Sequence, residues 1–166
     1  MSSEIKYLND PLDDRMILLV LSYVKPLLSS EHHILVRARA CELISYYSYL
    51  ELPEEHLTLL AESIYGCMMV GNTEKETFLK IYACNAFNTL MKYSTIAQFI
   101  RPFIPDILKI YTDLLPADSS IIKNFEDLID LLEDDIAPFA NNLSKLFIDM
   151  FFGYVQRYQK NFPGDG

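Results

Sequence analysis

Apolar residues recur along most of this chain at intervals of three and four, which is the spacing of one face of an α-helix. Between residues 120 and 136 this spacing separates an apolar stripe from a run of acidic residues. The stripe consists of Phe125, Leu128, Ile129, Leu132 and Ile136. No segment alternates apolar and polar residues with the period of two that a half-buried strand shows. The pattern therefore predicts an all-α protein.

Start and stop signals divide this pattern into successive helices. Asp10-Pro11, Ser30 and Ser119-Ser120 are typical of helix starts. Thr73 lies three residues before Glu76, which is the spacing of a capping box. We expect helices at about 12–28, 32–50, 54–70, 74–93, 95–100, 102–115, 120–134 and 136–160.

Two similar stretches, Val36–Ile44 and Leu79–Phe87, lie forty-three positions apart. In this register Arg37 aligns with Lys80, and one Ala-Cys pair aligns with another. A helical period in the low forties is typical of stacked hairpins of the HEAT or armadillo kind, in which each hairpin buries its apolar face against its neighbours. We therefore predict a right-handed α-solenoid of about three and a half HEAT-type helical hairpins, with residues 1–166 forming a single repeat region. The approximate repeats are 11–52, 53–95 and 96–135, followed by a lone outer helix at 136–160.

The lone last helix carries a wide apolar stripe and has no following partner in the predicted pairing. A helix that closes a solenoid should instead present a polar outer face. We therefore expect the chain to be a fragment of a longer solenoid or to pair with another chain.

Net charge, cysteine spacing and the length of apolar runs limit the classes of function that this chain can have. The net charge of −9 argues against binding of nucleic acid through a basic face, whereas a basic protein partner is compatible with this charge. The three cysteines lack a CxxC spacing and lie among apolar residues, so we expect buried free thiols rather than a disulfide. The longest apolar run, Met16–Val24, is too short to cross a bilayer, and no secretory signal is visible.

No catalytic, cofactor or metal site is expected. His32-His33 and His56 lack partners of ligand type at helical spacing. The five glycines form neither a P-loop nor a GxGxxG motif. The many acids show no motif spacing to a histidine with a serine or cysteine, so we do not expect an enzyme.

Three motifs carry a resemblance to a known family. The stretches Leu35–Cys41 (LVRARAC), Phe99–Pro105 (FIRPFIP) and Ile136–Pro138 (IAP) occur in an order that resembles the importin-beta superfamily of nuclear transport receptors. The likeness is to the central HEAT repeats of the importin-seven and importin-eight type, and it covers about residues 30–158. The third repeat departs from the pattern, because it keeps Lys123 but has no Ala-Cys pair.

The resemblance implies a non-catalytic scaffold for Ran-dependent protein transport between cytoplasm and nucleus. In such receptors, outer helices bind Phe-Gly nucleoporins in the clefts between them, and inner helices face the protein cargo. Ran contacts are made mostly by N-terminal repeats that this chain lacks. Binding of the Ran GTPase is therefore expected only through the full-length receptor, and neither nucleic acid nor a membrane is expected as a partner.

The resemblance also implies a ladder of acidic and basic side chains between repeats. Glu31 with Arg37, and Glu74 with Lys80, have the six-residue spacing of such a ladder, although solvated pairs of little energetic consequence would show the same spacing. A second candidate site is the acidic inner helix, whose carboxylates would face a basic cargo or would simply favour solubility. Its residues are Glu126, Asp127, Asp130, Glu133 and Asp134.

Two alternatives to a transport receptor remain open at this point. The first is a HEAT or armadillo scaffold that serves another multiprotein assembly, and affinity for Phe-Gly peptides would distinguish it from a receptor. The second is a compact helical enzyme or regulatory bundle, which an extended shape in solution would exclude.

Overall fold

The computed structural model describes residues 11–47, 49 and 51–161. Every regular element in these ranges is helical and none is a strand, which confirms the predicted all-α class. The α-helices are α1 (Pro11–Leu19), α2 (Ile34–Tyr46), α3 (Glu54–Met68), α4 (Glu74–Leu90), α5 (Ser94–Ile100), α6 (Ile104–Leu114), α7 (Ile121–Leu132) and α8 (Ala140–Asn161). None of the described helices is both long enough and apolar enough to cross a membrane.

The first predicted helix, at about 12–28, is not one regular α-helix. After α1 the chain forms a π-helical turn at Val20–Val24 and a 3₁₀ segment at Lys25–Leu28. Pro26 lies in the first turn of the 3₁₀ segment. Because proline has no N–H group and its ring clashes with the preceding turn, the α-helical ladder cannot continue through it.

Three helix starts show how far local sequence specifies a cap. The predicted capping box forms: the Thr73 N–H donates to Glu76 Oε2 at 2.9 Å, and the Glu76 N–H donates to Thr73 Oγ1 at 3.4 Å. The predicted start of α2, at about residue 32, is two residues too early. The helix begins at Ile34, and its N-cap is His33, whose side chain accepts from the Leu35 N–H. At α7, the carboxylate of Asp118 accepts from the Ser120 N–H at 2.8 Å, ahead of the predicted serine pair. Asp10, the predicted cap of α1, lies outside the described residues.

The chain divides into two compact units, residues 1–131 and 132–166. In the first unit α2 packs most extensively against α4, and α3 packs against α4 as well. The 3₁₀ segment Lys25–Leu28 contacts α3, which in turn contacts α5. The elements of this unit therefore fall into two layers, one containing α3 and α5 and the other containing α2 and α4, which we call the outer and the inner layer after the predicted HEAT-type pairing. This arrangement is consistent with stacked helical hairpins.

Small side chains are buried on α2 and α4, the two helices of this unit that pack most extensively against each other. Ala40, Cys41, Ala83 and Cys84 are at most 1% exposed. Small residues allow two helix axes to approach closely, so we expect the aligned alanines to lie where these helices meet. Larger side chains fill the rest of the core of this unit; among them are Leu57, Ile64, Phe87, Ile96 and Ile107.

Helices α6 and α7 extend the first unit. The rings of Tyr111 on α6 and Phe125 on α7 meet edge to face, with their centroids 5.3 Å apart. Two side-chain hydrogen bonds link α7 to α4: the Asn88 Nδ2 group donates to Asp127 Oδ2 at 2.6 Å, and the Asn124 Nδ2 group donates to Asn85 Oδ1 at 3.1 Å. The inner helices α4 and α7 are therefore joined by polar contacts, unlike α2 and α4.

The buried hydroxyl of Tyr111 leads to the prediction that its removal stabilises the protein. Tyr111 is fully buried, its pKa is raised by burial, and no group in the described ranges bonds its hydroxyl. An unpaired buried hydroxyl costs about 1–3 kcal/mol. We therefore expect Tyr111→Phe to raise the free energy of unfolding by ~1 kcal/mol in urea denaturation.

Tyr93→Phe is the matched control for this prediction. It removes the acceptor of the Leu52 N–H, 2.9 Å away, and should lower the free energy of unfolding. If both variants change the free energy of unfolding in the same direction, the Tyr111 hydroxyl is not an unpaired buried group.

The second unit contains α8 and the 3₁₀ segment Glu133–Phe139 that precedes it. The predicted helix at 136–160 thus begins as a regular α-helix only at Ala140, after Pro138 inside the 3₁₀ segment. Leu143 is buried, whereas Ile148, Phe151 and Phe152 are more than half exposed. This helix therefore presents three large apolar side chains to solvent.

Candidate functional site

Arg37 binds the turn of its own hairpin. It lies on α2, is 8% exposed, and donates from Nε to the Leu28 carbonyl oxygen at 3.1 Å. Its Nη2 atom lies 3.5 Å from the sulfur of Cys67 on α3. A buried guanidinium needs acceptors for its donors, and here a backbone carbonyl and a thiol supply them. Arg37 therefore holds together three elements: α2, the 3₁₀ segment Lys25–Leu28, and α3.

Lys80 takes the equivalent position in the next hairpin. It is also 8% exposed, and its Nζ donates to Asn72 Oδ1 at 2.7 Å in the turn before α4. The forty-three-residue register thus places two basic residues at matching positions, each bound to the turn between its outer and inner helix.

Glu31 and Glu74 are the acidic residues predicted to pair with Arg37 and Lys80. Within the described ranges no ion pair joins Glu31 to Arg37 or Glu74 to Lys80. Both glutamates are exposed, so each carboxylate stays hydrated near the start of its helix. Moving a carboxylate into the buried turn would cost more desolvation than the ion pair returns. In the described residues, Arg37 and Lys80 therefore bind turn atoms rather than the glutamates six positions before them, and the ladder between repeats stays a prediction.

The acidic inner helix is only partly available to a ligand. Asp127 accepts from Asn88 Nδ2 and forms an ion pair with Lys123 Nζ, each at 2.6 Å. Burial opposes ionisation of Asp127, but the hydrogen bonds from Lys123 and Asn88 outweigh it and lower the pKa of Asp127. Glu126 also pairs with Lys123, at 3.7 Å. Asp127 therefore serves as a structural link between α4 and α7.

The remaining predicted acids differ in position. Asp130 is exposed on α7. The side chains of Glu133 and Asp134 lie outside the described residues. Among the described side chains, Asp130 and Glu126 are therefore the predicted cargo residues that stay exposed, and Glu126 is paired with Lys123.

An open groove of about 600 Å³ lies between α4 and α7, next to Asp130. Apolar Met91 and Leu131 contribute to its lining together with polar groups. The full lining is Asn88, Thr89, Met91, Lys92, Asp127, Asp130 and Leu131. Such a mixed surface suits the side chain of a protein partner better than a small apolar ligand.

Sequence reasoning missed the asparagines that link α4 and α7. Asn85 with Asn124, and Asn88 with Asp127, are each separated by 39 residues. This common spacing was a usable signal, because it shows a second repeat interval slightly shorter than the first. A strict forty-three-residue register would place Lys123 at the buried basic position, but Lys123 is exposed, and the adjacent Asn124 is buried at 2% exposure.

On the outer layer, a cleft of about 310 Å³ separates residues 21–29 from α3. It is lined by Leu21, Lys25, Pro26, Leu28, Ser29 and Ser63. Further along this layer, the rings of Tyr65 and Phe103 pack with centroids 4.8 Å apart. The Tyr65 hydroxyl donates to Asp106 Oδ2 at 3.3 Å. The outer layer thus presents a cleft with both apolar and polar lining and, further along, a pair of packed aromatic rings.

The three cysteines are free and buried, as predicted. The Cys67 thiol donates to the Leu28 carbonyl oxygen at 3.5 Å. Across the described ranges, no three His, Cys, Asp or Glu side chains converge in a way that could hold a metal ion.

Comparison with known proteins gives one curated relative. The chain is 27% identical over 150 residues to a protein of Dictyostelium discoideum named "Probable importin-7 homolog". The aligned region is 89% of this chain, and the chain spans 14% of the relative's length. No protein-family profile and no solved structure matches the chain. The likeness agrees with the family that the three sequence motifs resemble.

Proposed function

We propose that this chain is a segment of a nuclear transport receptor of the importin-seven and importin-eight type, and that it binds other proteins without performing chemistry. The observation that carries this proposal is the likeness to the importin-7 homolog over 89% of the chain. The two helical layers of the first unit and the forty-three-residue register support it, because both belong to a HEAT-type stack. The proposed fold is a right-handed α-solenoid of about three and a half hairpins.

The proposed partners follow from the two layers. The inner layer, with Asp130 exposed beside the α4–α7 groove, would face a basic protein cargo. The outer layer, with its apolar cleft beside α3, would bind Phe-Gly nucleoporins. The receptor would move between cytoplasm and nucleus, and Ran would act through the full-length protein. A net charge of −9 favours basic partners over nucleic acid.

Titration with a Phe-Gly-repeat peptide tests the transport assignment directly. We expect saturable binding of the peptide to this chain by fluorescence anisotropy, with a Ser-Gly peptide of the same length as the control. Competition by free phenylalanine amide should reduce binding, because the phenyl ring provides most of the buried apolar area. Binding of a basic protein without any binding of Phe-Gly peptide would instead indicate a non-transport scaffold.

Charge reversal at Asp130 tests the cargo face. In the full-length receptor we expect Asp130→Lys to weaken binding of a lysine-rich histone by about two- to fivefold at physiological salt, with a flatter salt dependence. Asp127 is unsuitable for this test, because its replacement would break the α4–α7 link. Glu62→Lys, an equal charge change on an exposed residue of α3, is the matched control. Equal losses in both variants would mean that only net charge matters, and an unchanged Asp130→Lys would remove this residue from the cargo face.

A further inference from the structure

We propose that a cleft between the α3–α4 turn and α6 binds the side-chain amide of a glutamine from a protein partner. The cleft has a volume of about 180 Å³. Its lining is Met68, Met69, Val70, Asn72, Lys80, Asp106, Lys109, Ile110 and Asp113. The proposal goes beyond the scaffold function, because this cleft is separate from both the α4–α7 groove and the cleft beside residues 21–29.

The forty-three-residue register relates this cleft to the one beside residues 21–29. Four residues that line the earlier cleft align with four that line this one: Lys25 with Met68, Pro26 with Met69, Ser29 with Asn72, and Ser63 with Asp106. The clefts therefore occupy equivalent places at successive hairpins. They differ in what surrounds the buried basic residue, because the position that aligns with Cys67, a neighbour of Arg37, is Ile110, whose side chain has no acceptor.

Lys80 carries more donors than its surroundings accept. Its ammonium group has three N–H donors, and the side chain is 8% exposed. Among the residues that the structure describes, the acceptor of Nζ is Asn72 Oδ1, at 2.7 Å. A buried polar group is stabilised when each of its donors meets an acceptor. A ligand with an acceptor that reaches Lys80 is therefore favoured.

The charges around the cleft favour an uncharged ligand. Two basic residues, Lys80 and Lys109, line it together with two acidic ones, Asp106 and Asp113. A carboxylate ligand would meet the two aspartates and the oxygen of Asn72, whereas a cationic ligand would meet the two lysines. An amide avoids both conflicts: its carbonyl oxygen accepts from Lys80, and its NH₂ group donates to the second lone pair of Asn72 Oδ1.

The size and the floor of the cleft fit a single side chain. Pockets for drug-sized ligands measure ~300–1,000 Å³, so a volume of about 180 Å³ is too small for one. Met68 and Ile110 are buried, and Met69 is 53% exposed at the rim. The two methylene groups of a glutamine would pack against these apolar side chains and carry the amide to Lys80. An entire partner chain would remain outside the cleft.

Methionine methyl signals provide a direct test, because Met68 and Met69 line this cleft while Met91 lines the α4–α7 groove. The protein is labelled with ¹³C-methyl methionine and titrated with N-acetyl-glutamine methylamide. We expect saturable shifts of the Met68 and Met69 methyl signals and an unchanged Met91 signal. The methionine and glutamate analogues of the probe should bind about tenfold more weakly, since each lacks a complete amide for Lys80 and Asn72.

Two variants assign the binding to the proposed groups. Lys80→Met should weaken binding of the glutamine probe by about tenfold, and Asn72→Ala, at an exposed turn position, should also weaken it. Lys75→Met is the matched control: it removes the same charge from an exposed position of α4 outside the cleft and should bind the probe like the parent. Circular dichroism verifies folding, and Asn72→Ala decides the question if Lys80→Met does not fold.

Three results would overturn the proposal: no saturable shift at Met68 and Met69, equal binding of the methionine probe, or tighter binding of the glutamate probe. Equal binding would mean that the apolar floor alone holds the ligand, and tighter glutamate binding would mean that the cleft is an anion site. The titration is independent of the transport assignment, because a failure to bind Phe-Gly peptide leaves the methyl shifts of this cleft unaffected.

Discussion

Replacing Ala83 by leucine should lower the free energy of unfolding by about 1–3 kcal/mol. Ala83 is fully buried on α4, where this helix makes its most extensive contact, with α2. The partner surface on α2 is equally closed, because Ala40 is 1% exposed. A leucine side chain can enter this contact only in a strained rotamer or by moving the two helices apart. The measurement is the urea midpoint and slope followed by circular dichroism.

A leucine elsewhere on the same helix provides the control for this prediction. Lys75 is exposed in the first turn of α4, so Lys75→Leu adds a similar side chain without altering the helix contact. We expect its free energy of unfolding to stay within about 0.5 kcal/mol of the parent. If Ala83→Leu lowers the free energy of unfolding no more than Lys75→Leu does, α2 and α4 do not approach closely at Ala83.

Replacing Arg37 by methionine should lower the free energy of unfolding by about 1.5–3 kcal/mol, the range for a hydrogen bond to a charged group. The change keeps most of the aliphatic stem and removes the donor that lies 3.1 Å from the Leu28 carbonyl oxygen. That carbonyl would keep only the weak contact with the Cys67 thiol at 3.5 Å. The loss should appear first in the 3₁₀ segment Lys25–Leu28, as faster amide hydrogen exchange.

The same substitution two positions further along distinguishes a buried arginine from an exposed one. Arg39 is exposed and forms a surface ion pair with Glu42 on the same helix. Such pairs contribute about 0–1 kcal/mol, so Arg39→Met should have a small effect and no effect on exchange near Leu28. Comparable losses in both variants would show that helix propensity or net charge, rather than the turn contact, sets the stability.

Local sequence was sufficient where a structural choice depends on neighbouring residues alone. The all-α class and the capping box at Thr73 were predicted correctly, because helical periodicity and a three-residue cap involve groups within one or two turns. The start of α2 was misplaced because Ser30 and His33 can both cap a helix. The path of the chain out of the 3₁₀ segment favours His33, whose side chain reaches the Leu35 N–H.

The sequence by itself determined that Arg37 and Lys80 occupy equivalent positions, since a repeat places equivalent residues at equivalent points of each hairpin. Only the tertiary structure decided that Arg37 binds Leu28 and that Lys80 binds Asn72, because burial excludes hydrated glutamates and leaves the nearest turn atoms as acceptors. Tertiary structure likewise committed Asp127 to Asn88 and left Asp130 exposed, whereas the ion pair of Asp127 with Lys123, four residues earlier on the same helix, follows from helical spacing. A charge pattern specifies which side chains carry charge, whereas the packing of distant helices determines which of those charges remain open to a partner.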